Sequence, residues 1–196
     1  MLIFKQYKDN KMKKILLLLF VFTITLINAQ HEETLLSHMR FSGAWGSWNS
    51  SIGKIKNENI YFNGGYGGIE LGKDLFLGWG GYKSSSSIRQ DDLKFHMKWN
   101  GPVVSYSPAS HRVLHPTFTL MIANGKLDPD NASYDRIFVA QPSLGAELNL
   151  VRWCHVSVNG GYRFVNDVDL GKYTDTDFSG LYGELVLKFG ISWGRW

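Results

Sequence analysis

The chain has 196 residues, one domain's worth, and a formal charge of +4 that invites a nucleic-acid partner. Lys5, Lys8, Lys11, Lys13 and Lys14 against Asp9 account for the whole excess, so the rest of the chain is neutral and no nucleic-acid partner is implied. With 21 Gly, 12 Phe, 9 Tyr and 7 Trp, 19% charged residues and one cysteine, Cys154, the composition is unusual for a soluble domain and excludes an internal disulfide.

The first element is "KMKKILLLLFVFTITLINAQ", a basic stretch followed by an apolar run from Ile15 to Ile27 and a small residue, Ala29. It reads as a secretory signal peptide over 1–29, with Met1 or Met12 as the start, and it leaves 30–196 as one folded domain. Beyond it, no stretch reaches the ~18 apolar residues that a membrane helix needs. Instead, two-residue alternation recurs in segments of about ten residues separated by turn-like stretches.

Eight strands are predicted: 37–48, 58–71, 75–84, 92–106, 113–124, 136–150, 154–165 and 178–194. The connections after the second, fourth and sixth are short ("GKD", "SPASHR", "VRW"). Those after the first, third, fifth and seventh are longer and more polar ("NSSIGKIKN", "SSSIRQD", "GKLDPDNASYD", "NDVDLGKYTDTD"). In strand two, the change of apolar parity between Phe62 and Ile69 predicts a bulge near Gly67–Gly68. In strand four, Leu93, Phe95, Met97, Trp99, Gly101 and Val103 form an apolar face opposite Lys94, His96 and Lys98. In strand six, Phe138, Ala140, Pro142, Leu144, Ala146, Leu148 and Leu150 oppose Val139, Gln141, Ser143, Gly145, Glu147 and Asn149. The last strand sets Leu181, Leu185, Leu187, Phe189, Ile191 and Trp193 against Tyr182, Glu184 and Lys188.

A soluble lipocalin-like carrier would turn such apolar faces inward, whereas a membrane barrel turns them to lipid and fills its interior with polar groups. Export, the alternation of loop lengths, and aromatics near strand ends (Tyr82, Trp99, Tyr106, Trp153, Phe164, Trp193) favour the second arrangement. The fold expected is all-β: a closed antiparallel eight-stranded up-and-down transmembrane barrel. Recurrent glycines ("FNGGYGG", "GWGGY", "NGGY") then make room for large inward side chains. No helix follows them, so they do not form a phosphate-binding loop.

In size, layout and its closing strand "ELVLKFGISWGRW", the chain resembles the small eight-stranded outer-membrane β-barrels of Gram-negative bacteria, OmpX-like in architecture. The resemblance implies the cell outer membrane as location, outer-membrane lipids and lipopolysaccharide as surroundings, and a monomer. It also implies a terminal aromatic read by the barrel-assembly machinery, either Trp193 or Trp196, since the alternation lapses at Gly194 and Arg195.

On the polar faces, Arg40, Glu70, Lys94, His96, Lys98, Glu147, Arg163, Glu184 and Lys188 are expected to form an interior charged network, because buried charges must be paired. Eight strands leave an interior that side chains just fill, so the barrel is expected to be closed. The function expected is structural or surface-interacting, with the long loops as contact surface and no catalytic residue. The alternative is a lipid-A-modifying hydrolase or acyltransferase built on His96, a serine of 84–87 such as Ser85, and Asp91 or Asp92. Seven loop aspartates (Asp128, Asp130, Asp135, Asp167, Asp169, Asp175, Asp177) offer carboxylates for cations, but at no recognised spacing. No cofactor and no metal site is implied; the remaining histidines, His31, His38, His111, His115 and His155, lack ligand spacing.

Overall fold

Long strands of alternating residues can satisfy every backbone group only by closing on themselves, and this chain does so. A computed structural model describes residues 40–55, 58–85, 88–90, 93–129, 134–169 and 173–193. The expected signal segment, Asp91, Asp92, Asp130 and Trp196 lie outside the described residues, as do His31 and His38.

The strands are β1 (Phe41–Ile55), β2 (Glu58–Leu71), β3 (Leu75–Ser84), β4 (Ile88–Gln90), β5 (Leu93–Tyr106), β6 (Leu114–Pro129), β7 (Asp135–Val151), β8 (Cys154–Asn166) and β9 (Gly180–Ser192). One short helix, α1 (Asp175–Phe178), precedes β9. The sheet runs β3-β2-β1-β9-β8-β7-β6-β5-β4, and pairing of β3 with β5 closes it. The three-residue β4 pairs only with β5 and continues the stave begun by β3, so the closed barrel has eight antiparallel staves.

One end carries the turns 72–74, 107–113 and 152–153, and Arg40 and Trp193 lie there too; we call it the turn end. The first turn is tight, with Gly72 and Lys73 both at positive φ (59° and 69°), the backbone that two-residue hairpins favour. At the opposite rim β1 ends at Ile55, β6 at Pro129 and β8 at Asn166, and α1 lies there.

Several expectations need correction, and they share one cause. Strand one continues through most of "NSSIGKIKN" to Ile55, and β6 continues to Pro129, so two of the four long loops are largely strand. With β6 and β7 at 16 and 17 residues, the staves exceed the ~9–11 residues that cross a bilayer. Toward one end of these long staves the two faces exchange roles. Lys54, Lys83, Lys98, Asn124, Lys126, Asp128 and Arg136 face out, while Ile55, Phe62, Phe95, Met97, Trp99, Leu127, Ile137 and Val139 are buried inside.

Lower down the faces are reversed. Leu77, Trp79, Val104, Phe118, Leu120, Ile122, Leu144, Val158, Leu185 and Phe189 face out, around an interior of Ser, Asn, Tyr and charged residues. Strand β5 therefore has the parity opposite to the one expected: Phe95, Met97, Trp99 and Val103 point in, and His96 and Lys98 point out. Tyr82 and Trp99 are likewise interior, whereas Tyr106, Trp153, Phe164 and Trp193 are exposed on the outside. No bulge interrupts Gly67–Gly68, where the pairing of β2 with β1 and β3 is continuous; Phe62 is simply an inward residue of the upper tier. The register shifts that do occur lie at Phe41/Gly43 and Asn149/Val151, at the turn end.

Candidate functional site

The interior is built in three storeys by inward positions of adjacent strands. At the turn end a cavity of about 620 Å³ is lined by Trp45, Glu70, Phe76, Glu147, His155 and Lys188, among others, and by residues of all three turns. Glu147 of β7 is its centre. Lys188 Nζ donates to both carboxylate oxygens at 3.2 and 3.1 Å, and His155 Nδ1 donates to Oε1 at 2.9 Å. His115 Nε2 stands 3.6 Å away, too far for a hydrogen bond. Glu70 accepts from Ser42 Oγ (2.7 Å), Trp45 Nε1 (2.8 Å) and Ser192 Oγ (2.8 Å), which ties β1, β2 and the end of β9 together. The Trp45 and His155 rings lie 4.4 Å apart and join the two carboxylate clusters.

The middle storey is a polar plug. Tyr82 donates to Glu184 Oε1 at 2.5 Å, and Asn49 and Asn159 each reach a Glu184 oxygen at 3.4 Å. Asn49 also donates to the Tyr82 hydroxyl at 2.7 Å. Space for the rings comes from glycines directly opposite them: Gly64 faces Tyr82, Gly80 faces Tyr66, Gly161 faces Tyr182 and Gly190 faces Trp45. A Cβ on Gly64 would lie 2.7 Å from the Tyr82 ring, and one on Gly161 would lie 2.8 Å from that of Tyr182.

Above the plug, Arg163 is 2% exposed, and among the described residues no carboxylate lies within 4.0 Å of its guanidinium. Its Cζ stands 4.2 Å from the Phe62 ring, 4.6 Å from Trp99 and 5.5 Å from Tyr182. Aromatic faces carry negative potential and so supply the stabilisation that an acid would otherwise give. The rim is then closed by α1: Phe178 is fully buried, 5.5 Å from Phe95 and 6.1 Å from Tyr173.

Of the expected interior network, the structure places Glu70, Glu147, Arg163, Glu184 and Lys188 inside, in two separate clusters with Arg163 caged apart from both. Arg40 is exposed just before β1, and Lys98 is exposed on the outer face, because both lie where the outward side meets water. His96, half-buried, also faces outward, where the register sets it opposite Asp128. Lys94 belongs to β5, but its side chain lies outside the described residues. Tyr182 was expected on the polar face beside Glu184 and Tyr82 at a strand end, whereas Asn49, Tyr66 and Asn159 were not singled out from the sequence; their inward parity was the available signal. Several loop aspartates serve the backbone. Asp175 accepts from the Val168 N–H, Asp135 from the Asp169 N–H and Asp177 from the Thr174 N–H, at 2.7–2.9 Å.

No family model matches the sequence, and no curated protein does. Solved structures do match. The N-terminal β-barrel domain of OprF from Pseudomonas aeruginosa has a TM-score of 0.54 at 12% identity, over 77% of this chain and 98% of that one. The neisserial surface protein A, NspA, has a TM-score of 0.55 at 11% identity, over 77% and 96%. At these identities the likeness is one of fold: the closed eight-stranded antiparallel up-and-down barrel of bacterial outer-membrane proteins.

Proposed function

We propose that this chain is a monomeric outer-membrane barrel with a structural or surface-contact role: a sealed stem that carries an extended, charged rim. The observation that supports the reading most is the reversal of polarity along the staves. A belt of Leu, Ile, Val, Phe and Trp faces outward around a polar, hydrogen-bonded interior, and only above that belt do the outer faces become charged. The Glu184 plug and the apolar upper storey fill the bore, which favours a closed stem over a pore. Its surroundings would be outer-membrane lipids and lipopolysaccharide. During biogenesis the barrel-assembly machinery would read the end of β9 through Trp193 or Trp196; Trp193 packs against Phe41 at 4.8 Å on the outside of the turn end.

Cell fractionation followed by SDS gel electrophoresis with and without boiling tests this. A band in the outer-membrane fraction whose mobility shifts on heating is expected. A soluble, unshifted protein would restore the lipocalin-like reading, with a ligand in place of lipid. For the hydrolase alternative, cells carrying His96→Ala and Ser85→Ala are expected to give lipid A of unchanged mass; an altered acylation pattern would make the protein an enzyme.

A further inference from the structure

Lysine is strongly hydrated, and adjacent strands avoid placing like charges directly opposite each other. This barrel nevertheless sets four in one row. Lys83 of β3 pairs with Lys98 of β5, Lys98 with Lys126 of β6, and Lys126 with Arg136 of β7. All four are exposed on the outer face. With strands ~4.8 Å apart, the row is about 14 Å long. Among the described residues none of the four forms a salt bridge. The nearest outward acid in register is Asp128, opposite His96 and two residues further along β6, roughly 7 Å on.

Tyr134 reports the same excess of positive charge. Its ring lies 4.3 Å from Lys126 Nζ. A hydrogen bond from Arg136 and the charge of Lys126 hold its phenol below the ordinary value.

The height of the row is informative. Two residues below it on each stave come Gly81, Asn100, Asn124 and Phe138, and two below those come Trp79, Pro102, Ile122 and Ala140, which belong to the apolar belt. The cations therefore stand one row of Gly, Asn, Asn and Phe above the apolar belt, at the level of lipid headgroups on the outer-membrane reading. Among the described residues no acid stands directly opposite any of the four, so an anion of comparable length would relieve their mutual repulsion. Given the outer-membrane reading above, on which this rests, we propose that Lys83, Lys98, Lys126 and Arg136 form a binding site for the phosphate groups of a phosphorylated glycolipid in the outer leaflet.

The test uses the full protein in detergent, with the heat shift as proof of folding, and fluorescent lipid A as probe. Wild type is expected to bind phosphorylated lipid A at least tenfold more tightly than its dephosphorylated form. The variant K83Q/K98Q/K126Q/R136Q should lose that preference while keeping the heat shift. Lys54→Gln, which removes an outward cation of β1 outside the row, should change nothing. If the quadruple variant loses its heat shift, Lys98→Gln alone is read, with a several-fold loss expected. Equal binding of the two lipid forms overturns the site, as does an unchanged quadruple variant or a Lys54→Gln effect of equal size. Displacement of lipid A by inorganic pyrophosphate at equal concentration would assign the row to free phosphate and also overturn the lipid assignment. A wild-type protein without a heat shift would instead refute the barrel reading itself.

Discussion

Tyr82 and Glu184 stand 102 residues apart in the chain, yet the Tyr82 hydroxyl donates to Glu184 Oε1 at 2.5 Å across the barrel interior. The bond crosses the bore between β3 and β9, which are separated by β2 and β1 in the sheet, so it ties together walls that do not pair. Tyr82→Phe removes the short donor and leaves the carboxylate with Asn49 and Asn159 at 3.4 Å. Leaving a buried acceptor under-satisfied costs ~1–3 kcal/mol, so Tyr82→Phe should lower the urea midpoint of folding into lipid vesicles accordingly. An unchanged midpoint would mean that the bond crosses the barrel without stabilising it.

Arg163 offers a sharper contrast. Its Nε and Nη2 have no hydrogen-bond partner, and three rings surround it. If the cage merely tolerates a buried cation, Arg163→Met keeps the volume and removes the desolvated charge, and it should be neutral or stabilising by ~1–4 kcal/mol. Arg163→Ala leaves a hole and should cost about 2–4 kcal/mol in the same folding assay. If Arg163→Met falls as far as Arg163→Ala, the cation–ring attraction is itself a main support of the upper storey.

The glycines divide by face. A Cβ on Gly64 or Gly161 would press on a neighbouring carbonyl (Gly81 or Pro142) and on the Tyr82 or Tyr182 ring, while one on Gly160 would meet nothing within 4 Å. Gly64→Ala and Gly161→Ala should each destabilise by ~1–3 kcal/mol through overpacking. Gly160→Ala should be neutral or gain up to ~1 kcal/mol by stiffening the unfolded chain. The comparison is made by heat-modifiability midpoints on one gel series. Equal losses at all three positions would point to backbone conformation rather than ring space.

The barrel was legible because inner and outer positions alternate strictly along the lower part of every stave. Strands two and three ended where the sequence placed them, at 58–71 and 75–84, and the faces of β7 and β9 fell on the expected sides. The upper tier was not legible, for a physical reason. Alternation fixes two faces but not which one is inside, and above the outer apolar belt the inside becomes the apolar face. Phe95, Met97 and Trp99 thus looked like a lipid surface and form a core, and Lys98 looked interior and is a rim charge. The Glu147 and Glu184 clusters could be reached from the parity of β7 and β9, whereas the caging of Arg163 needs the three-dimensional register of β2, β5, β8 and β9.

That reversal of polarity predicts a depth dependence on a single strand. Leu120 and Asn124 share the outward face of β6, four residues or roughly 13 Å apart along the strand. Leu120 lies within the apolar run Leu114, Pro116, Phe118, Leu120 and Ile122, and Asn124 is the first polar residue above it. An arginine on a lipid-facing position near mid-bilayer costs ~2–4 kcal/mol, falling to ~0–1 kcal/mol near the interface. Leu120→Arg should therefore depress the urea midpoint of folding into phosphatidylcholine vesicles by the larger amount, and Asn124→Arg by almost nothing. Both variants should behave alike in a soluble barrel, where each outer position meets water. Two equally large costs would instead place the lipid boundary above Asn124, hard against the basic row of Lys98 and Lys126, where unpaired cations are expensive.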